Sequence, residues 1–136
     1  MTSTATDTRS VVIEREIPHP PEMIWRAITQ PHLIEEWLMK NDFKPVMGHR
    51  FNLQADWGTV DCQVLAIEQN KTLTYTWEVL GLESVVTWTL TPSSNGTLLR
   101  MEQTGFRPEQ RQTYHGAVSG WPRFFANLEQ LLKRTD

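Results

Sequence analysis

From Phe43 to Phe106 the sequence alternates apolar and polar residues in short runs parted by turn signals, and this period of two limits most of what the chain can become. "TLTYTWEVL" is the clearest run. It puts Leu73, Tyr75, Trp77 and Val79 on one face and Thr72, Thr74, Thr76 and Glu78 on the other. "TVDCQVLAIE" gathers Val60, Cys62, Val64 and Ala66, and "ESVVTWTLTP" gathers Val86, Trp88 and Leu90. "GTLLRMEQTGF" sets Leu99, Met101 and Gln103 against Arg100, Glu102 and Thr104. Upstream, "FKPVMGHRFNLQADWG" reads as a strand pair around Gly48, with Phe51, Leu53, Ala55 and Trp57 on one face. The connections "QNK", "GL" and "PSSNG" are short, and a strand recurs about every ten residues. Consecutive strands so joined pair antiparallel, as a meander.

Helical signals flank this block. "RSVVIEREI" (Arg9–Ile17) is a β-branched run stopped by "PHPP" (Pro18–Pro21). "PEMIWRAITQ" then places Ile24, Ala27 and Ile28 on one helical face, and Pro31 ends that helix and opens a second, "PHLIEEWL", with Leu33 and Trp37 four apart. At the far end, Tyr114, Val118, Trp121, Phe125, Leu128 and Leu132 recur at steps of three and four, which predicts a long helix. That helix carries Gly116, Gly120 and Pro122, although an interior Gly costs roughly 1 kcal/mol and an interior Pro about 3. Small residues at Gly116, Ala117 and Gly120 let a ligand or the sheet approach the backbone, and a kink at Pro122 would let the first half of the helix act as a gate. The alternative is that Gly120 makes room for Trp25 or Trp37 and that Pro122 starts a second helix after a break.

The order is one strand, two short helices, about six strands and a long helix. This is an α+β architecture in which a long antiparallel sheet must twist and curl. The terminal helix closes its hollow face, with a cavity expected between them. Residues 1–8 are Thr- and Ser-rich and are expected to be a disordered tail; 9–136 form a single domain.

Charge and motifs narrow the function classes. The net charge is −3 with no basic block, which argues against nucleic acid. Cys62 is the single cysteine, so no internal disulfide can form. The opening "MTSTATDTRS" has no apolar core of a secretory signal, and no run is long enough to insert in a membrane, so the cytoplasm is the expected compartment. His19, His32, His49 and His115 lie in separate elements without ligand spacing, so no metal and no cofactor are expected. Nucleophile-elbow, phosphate-loop and dinucleotide glycine patterns do not occur, and Ser119 reads as a small helical residue. A heptad seam is also missing, leaving a monomer or a weak dimer through a strand edge.

The segment "PPEMIWRAITQPHLIEEW" resembles the entry motif of proteins similar to the activator of the heat-shock-protein-90 ATPase, at Pro20, Ile24, Trp25, Ile28, Thr29, Pro31, Ile34 and Trp37. "GHRF", "GTVDCQVLAIEQNKTLTYTW", "TLLRMEQTGF" and "SGW" follow in the family's order, so the resemblance covers residues 10–133. It implies the START-like helix-grip fold of the SRPBCC superfamily, also seen in the birch-pollen allergen: a curved sheet of six to seven strands around a long C-terminal helix, with an internal pocket. The family often has Pro where this chain reads "QNK". The family's name points to stress response and a chaperone partner. Its eukaryotic co-chaperone docks through a further N-terminal domain, for which 136 residues leave no room.

The leading expectation is a non-catalytic binding protein for a small hydrophobic molecule, a lipid, polyketide or flavonoid-like aromatic. Its expected liners are Trp57, Val60, Cys62, Leu73, Tyr75, Trp77, Val86, Trp88, Leu99, Met101, Gln103, Tyr114, His115, Val118 and Trp121. Gln103 either faces the cavity or satisfies backbone groups, and His115 either reaches the pocket mouth or faces solvent. An enzyme like the polyketide cyclases would need a polar pair, His115 with Gln103 or Tyr75. A chaperone-binding module would need an exposed apolar patch.

Overall fold

Proline punctuates the first part of the fold. The computed structural model describes residues 8–134, so all but Thr8 of the expected tail lies outside the described residues. Strand β1 (Arg9–Ile17) ends before Pro18, and Pro21 opens helix α1 (Pro21–Thr29) at a position where its missing N–H costs nothing. Gln30 is extended because the residue before a proline is driven out of the α region, and helix α2 (Pro31–Trp37) then starts on Pro31. The Trp37 indole Nε1 donates to the Ala27 carbonyl at 2.8 Å and fixes the corner between the two helices.

The meander follows as β2 (Lys40–Asn41), β3 (Arg50–Ala55), β4 (Gly58–Glu68), β5 (Thr72–Val79), β6 (Leu82–Ser93) and β7 (Gly96–Phe106), and helix α3 (Arg111–Arg134) completes the chain. One seven-stranded antiparallel sheet has the order β1-β7-β6-β5-β4-β3-β2. The inward residues of β5, β6 and β7 are those the alternation predicts, from Leu73, Tyr75 and Trp77 to Leu99, Met101 and Gln103.

Three local expectations need correction. No strand pair forms around Gly48; β2 is a two-residue strand, and Lys40 pairs with Gln54 instead. In β4 a register shift between Val64 and Ala66 turns Ala66 outward and lets Ile67 pair with Leu73, because a bulge reverses the alternation. The β5–β6 turn is Leu80–Gly81 rather than "GL", and Leu82 is a buried strand residue. At the "QNK" turn, Asn70 adopts φ 66, a left-handed conformation closed to the proline common in the family.

α3 runs unbroken through Pro122, so no second helix starts there. Pro122 and Val118 are both exposed, and water can satisfy the Val118 carbonyl that the proline leaves unpaired. Trp121, Phe125, Leu128, Leu131 and Leu132 are buried against the sheet. The hollow beneath the second half of α3 is filled by aromatic packing. Trp88 meets Trp37 edge-on at 5.6 Å and lies 5.8 Å from Trp121 and 5.6 Å from Phe125.

Candidate functional site

Beneath the first half of α3 the hollow stays open. A cavity of about 440 Å³ lies there, between the helix and the sheet end that carries the β3–β4 and β5–β6 turns. Trp77, Val79, Leu82, Gln103 and Phe106 form its sheet wall, and Met39, from the segment after α2, adds to it. Ala117, Trp121 and Phe124 face it from the helix. Its rim is exposed: Trp57 at 58% and Leu80 at 87%, with Gln112, Thr113 and Arg123.

Two neighbouring lines of α3 meet the cavity. One runs Thr113, Ala117, Trp121 and Phe124; the other runs Gln112, Gly116, Gly120 and Arg123. A Cβ built on Gly116 or Gly120 would meet nothing within 4 Å. The missing side chains therefore leave space in the cavity, and Gly120 does not make room for Trp25 or Trp37.

The turn Leu80–Gly81 has φ 51 and φ 83 at its two residues. Such a mirror-image hairpin turn suits the twist of the flanking strands, but Asn, Asp or Gly normally fill its first position. Leucine there is both strained and exposed, and it stands at the cavity rim.

One buried polar chain crosses the wall. Trp121 Nε1 donates to Gln103 Oε1 at 2.7 Å, Gln103 Nε2 donates to Ser84 Oγ at 3.0 Å, and Ser84 Oγ donates to the Trp77 carbonyl at 2.8 Å. Gln103 is only 2% exposed, so this pairing holds a polar group within an otherwise apolar wall. Among the described residues Arg123 is the only ionisable side chain of the lining.

Of the expected liners, Trp57, Trp77, Gln103 and Trp121 border the cavity. Val60, Cys62, Leu73, Tyr75, Val86, Trp88, Leu99 and Met101 are buried elsewhere in the core. They face inward as the alternation predicts, but other side chains already fill the space in front of them. Tyr75 accepts a hydrogen bond at its hydroxyl from Trp88 Nε1 at 3.0 Å, and burial pushes its phenol up, opposed by that bond and aided by nearby Cys62. Burial also pushes the Cys62 thiol far up, with Asp61, Glu78 and Asp42 adding to the effect. Both groups are held protonated.

Tyr114, His115 and Val118 do not line the cavity. Tyr114 stacks edge-on against Phe106 at 5.5 Å under the Arg9 guanidinium, His115 is exposed, and Val118 is 43% exposed. The side of α3 that meets the cavity lies between the Thr113–Ala117–Trp121–Phe124 and Gln112–Gly116–Gly120–Arg123 lines, and Tyr114, His115 and Val118 lie beyond its Trp121 edge. His115 and Tyr75 therefore do not join Gln103 at the cavity as an acid–base pair. The alternation did not reveal Met39, Val79, Leu80, Leu82, Phe106, Gln112, Thr113, Arg123 or Phe124 as liners. The available signals were an apolar residue in a tight turn and the pairs 112/113, 116/117, 120/121 and 123/124 along one helical face. Among the described residues no cluster of His, Cys, Asp and Glu could hold a metal, and no helix is long and apolar enough to cross a membrane.

A curved antiparallel meander gripped by a long C-terminal helix, with two short helices after its first strand, is the helix-grip fold of START-like proteins. Within that class, residues 18–133 match the model of the family described as Activator of Hsp90 ATPase homolog 1-like protein, and the chain belongs to this family. Protein MLL2253 from Mesorhizobium loti is 67% identical and superposes with a TM-score of 0.92, over 94% of this chain and 99% of that one. BH1534 from Bacillus halodurans is 27% identical with a TM-score of 0.81, over 91% and 96% of the two chains. CalU16 from Micromonospora echinospora is 25% identical with a TM-score of 0.81, over 92% and 76%. No curated protein matches the chain.

Proposed function

We propose that this protein binds a small apolar or aromatic molecule, lipid, polyketide or flavonoid-like, in the cavity between sheet and α3, and does not convert it. The observation that carries this reading is the character of the wall: aromatic and aliphatic side chains, one buried polar chain whose members bond one another, and no pair of acid and base. Ligand sites are commonly of this size and composition, with few polar anchors. A cyclase-like reaction would need an acid or base facing the substrate, and the one ionisable group among the described lining residues is a guanidinium, which does not exchange its proton at ordinary pH. The family's name favours a chaperone partner, but the exposed apolar residues at the rim, Trp57 and Leu80, belong to the cavity.

Native mass spectrometry of the purified protein, followed by tryptophan-fluorescence titration with a fatty acid, a flavonoid and an aromatic polyketide, tests the reading. A co-purified small molecule or saturable quenching at micromolar concentration supports it. An empty protein that ignores every compound sinks it.

A further inference from the structure

We infer that the ligand is a flat aromatic anion whose rings lie in the cavity and whose acidic group meets Arg123. The inference rests on the cavity being the ligand site and adds the chemical class of its occupant. The charge asymmetry of the site supplies the first argument. Among the described residues no carboxylate lines the cavity, so a cation entering it would lose water and gain no counter-charge there. Arg123 stands at the rim on the line of Gly116 and Gly120. Among the described residues no carboxylate pairs with it, so its guanidinium is uncommitted, and of the unpaired arginines it is the one that borders the cavity. On the other side of the β5–β6 turn, a shallow recess holds Asp61, Glu78 and Glu83 beside Leu80. These acids repel an anion from the outer face of the sheet, while Arg123 receives it at the helix.

The wall supplies the second argument. The Trp121 N–H and the Gln103 carbonyl oxygen are committed to each other, so the strongest buried dipoles already have partners. Trp77 and Trp121 lie 5.3 Å apart with their planes at 51°, and Phe124 meets Trp121 edge-on at 5.5 Å. These walls offer ring faces and edges to a planar guest. The absent side chains of Gly116 and Gly120 let such a guest lie against the helix backbone, and the guanidinium one turn further on forms a charge-assisted, two-pronged contact with a carboxylate or sulfonate.

Two probes with the same aromatic skeleton test this: 8-anilinonaphthalene-1-sulfonate, an anion, and N-phenyl-1-naphthylamine, which is neutral. The unaltered protein is expected to bind the sulfonate about tenfold more tightly, and the preference should shrink in high salt. Arg123→Gln should erase the preference by weakening the sulfonate far more than the neutral probe, while Arg123→Lys keeps part of it. Gly120→Leu, whose side chain enters the open space, should weaken both probes. Equal affinity for the two probes overturns the anion inference but leaves the binding-protein reading standing. So does a preference that survives Arg123→Gln, or sulfonate binding that survives Gly120→Leu. If neither probe binds the unaltered protein, the anion inference falls, and the binding-protein reading is then decided by the fatty acid, flavonoid and polyketide titrations.

Discussion

Gln103 joins three elements with one amide: α3 through Trp121, β6 through Ser84 and, by way of that hydroxyl, the end of β5. Gln103→Leu keeps the volume but leaves a buried indole N–H unpaired, which costs about 1–3 kcal/mol. A fall of that size in urea stability, with the fold retained by circular dichroism, is the expected result. Cys62 and Tyr75 tie stability to pH. Their ordinary values are 9.0 and 10.0, and the fold raises both. The folded chain therefore holds these protons more tightly than the unfolded chain does. Their contribution is complete below the ordinary values and is lost as pH climbs through them toward the raised ones. Urea midpoints should decline above about pH 9, and Cys62→Ala should make the decline shallower. Parallel profiles for the two proteins would show that the thiol takes no part. That Gln103 faces inward was legible from its place after Leu99 and Met101. Its partners were not, because Trp121 lies eighteen residues further along and meets it only through the tertiary fold.

The turns and α3 carry the local departures from ordinary propensity. Leu80→Asn relaxes the left-handed turn and should stabilise the protein by roughly 1 kcal/mol. It also removes an apolar rim residue, so N-phenyl-1-naphthylamine should bind more weakly. A stabilised protein with undiminished affinity would make Leu80 irrelevant to the ligand. Gly120→Ala should raise stability by about 0.5–1 kcal/mol, because the new methyl meets open space and the helix gains propensity. In stopped-flow mixing the same variant should take up the neutral probe more slowly, and an unchanged rate would remove the glycines from the path of entry. The long elements were readable because each keeps one period over many residues. The β4 bulge, the Leu80–Gly81 turn and the two-residue β2 were not, since each turns on register or backbone conformation at one or two positions.

Across the whole molecule, the sheet and helix form a shell that is filled at one end and hollow at the other. The sequence shows which residues face inward. Which inward residues meet empty space depends on where Trp37, Trp88, Trp121 and Phe125 settle, and that follows from three-dimensional packing alone. The order of the strands also reaches into the history of each molecule. β1 is the first strand made, yet its partner is β7: Ile17 pairs with Thr97 and Arg9 with Phe106. At roughly 5–20 residues per second, synthesis delivers that partner several seconds later. Throughout that wait β1 has no neighbour in the sheet, and α1 and α2 have no α3 to cover them. The hairpins from β3 to β7 can zip locally, whereas docking β1 must close the longest loop in the sheet. Pulse-labelled hydrogen exchange during refolding should find the β1 amides protected last, after those of β5 and β6. A newborn chain thus spends its first seconds with its most distant seam unsewn, and any mutation that slows that closure will show itself as aggregation during synthesis before it shows itself as lost stability.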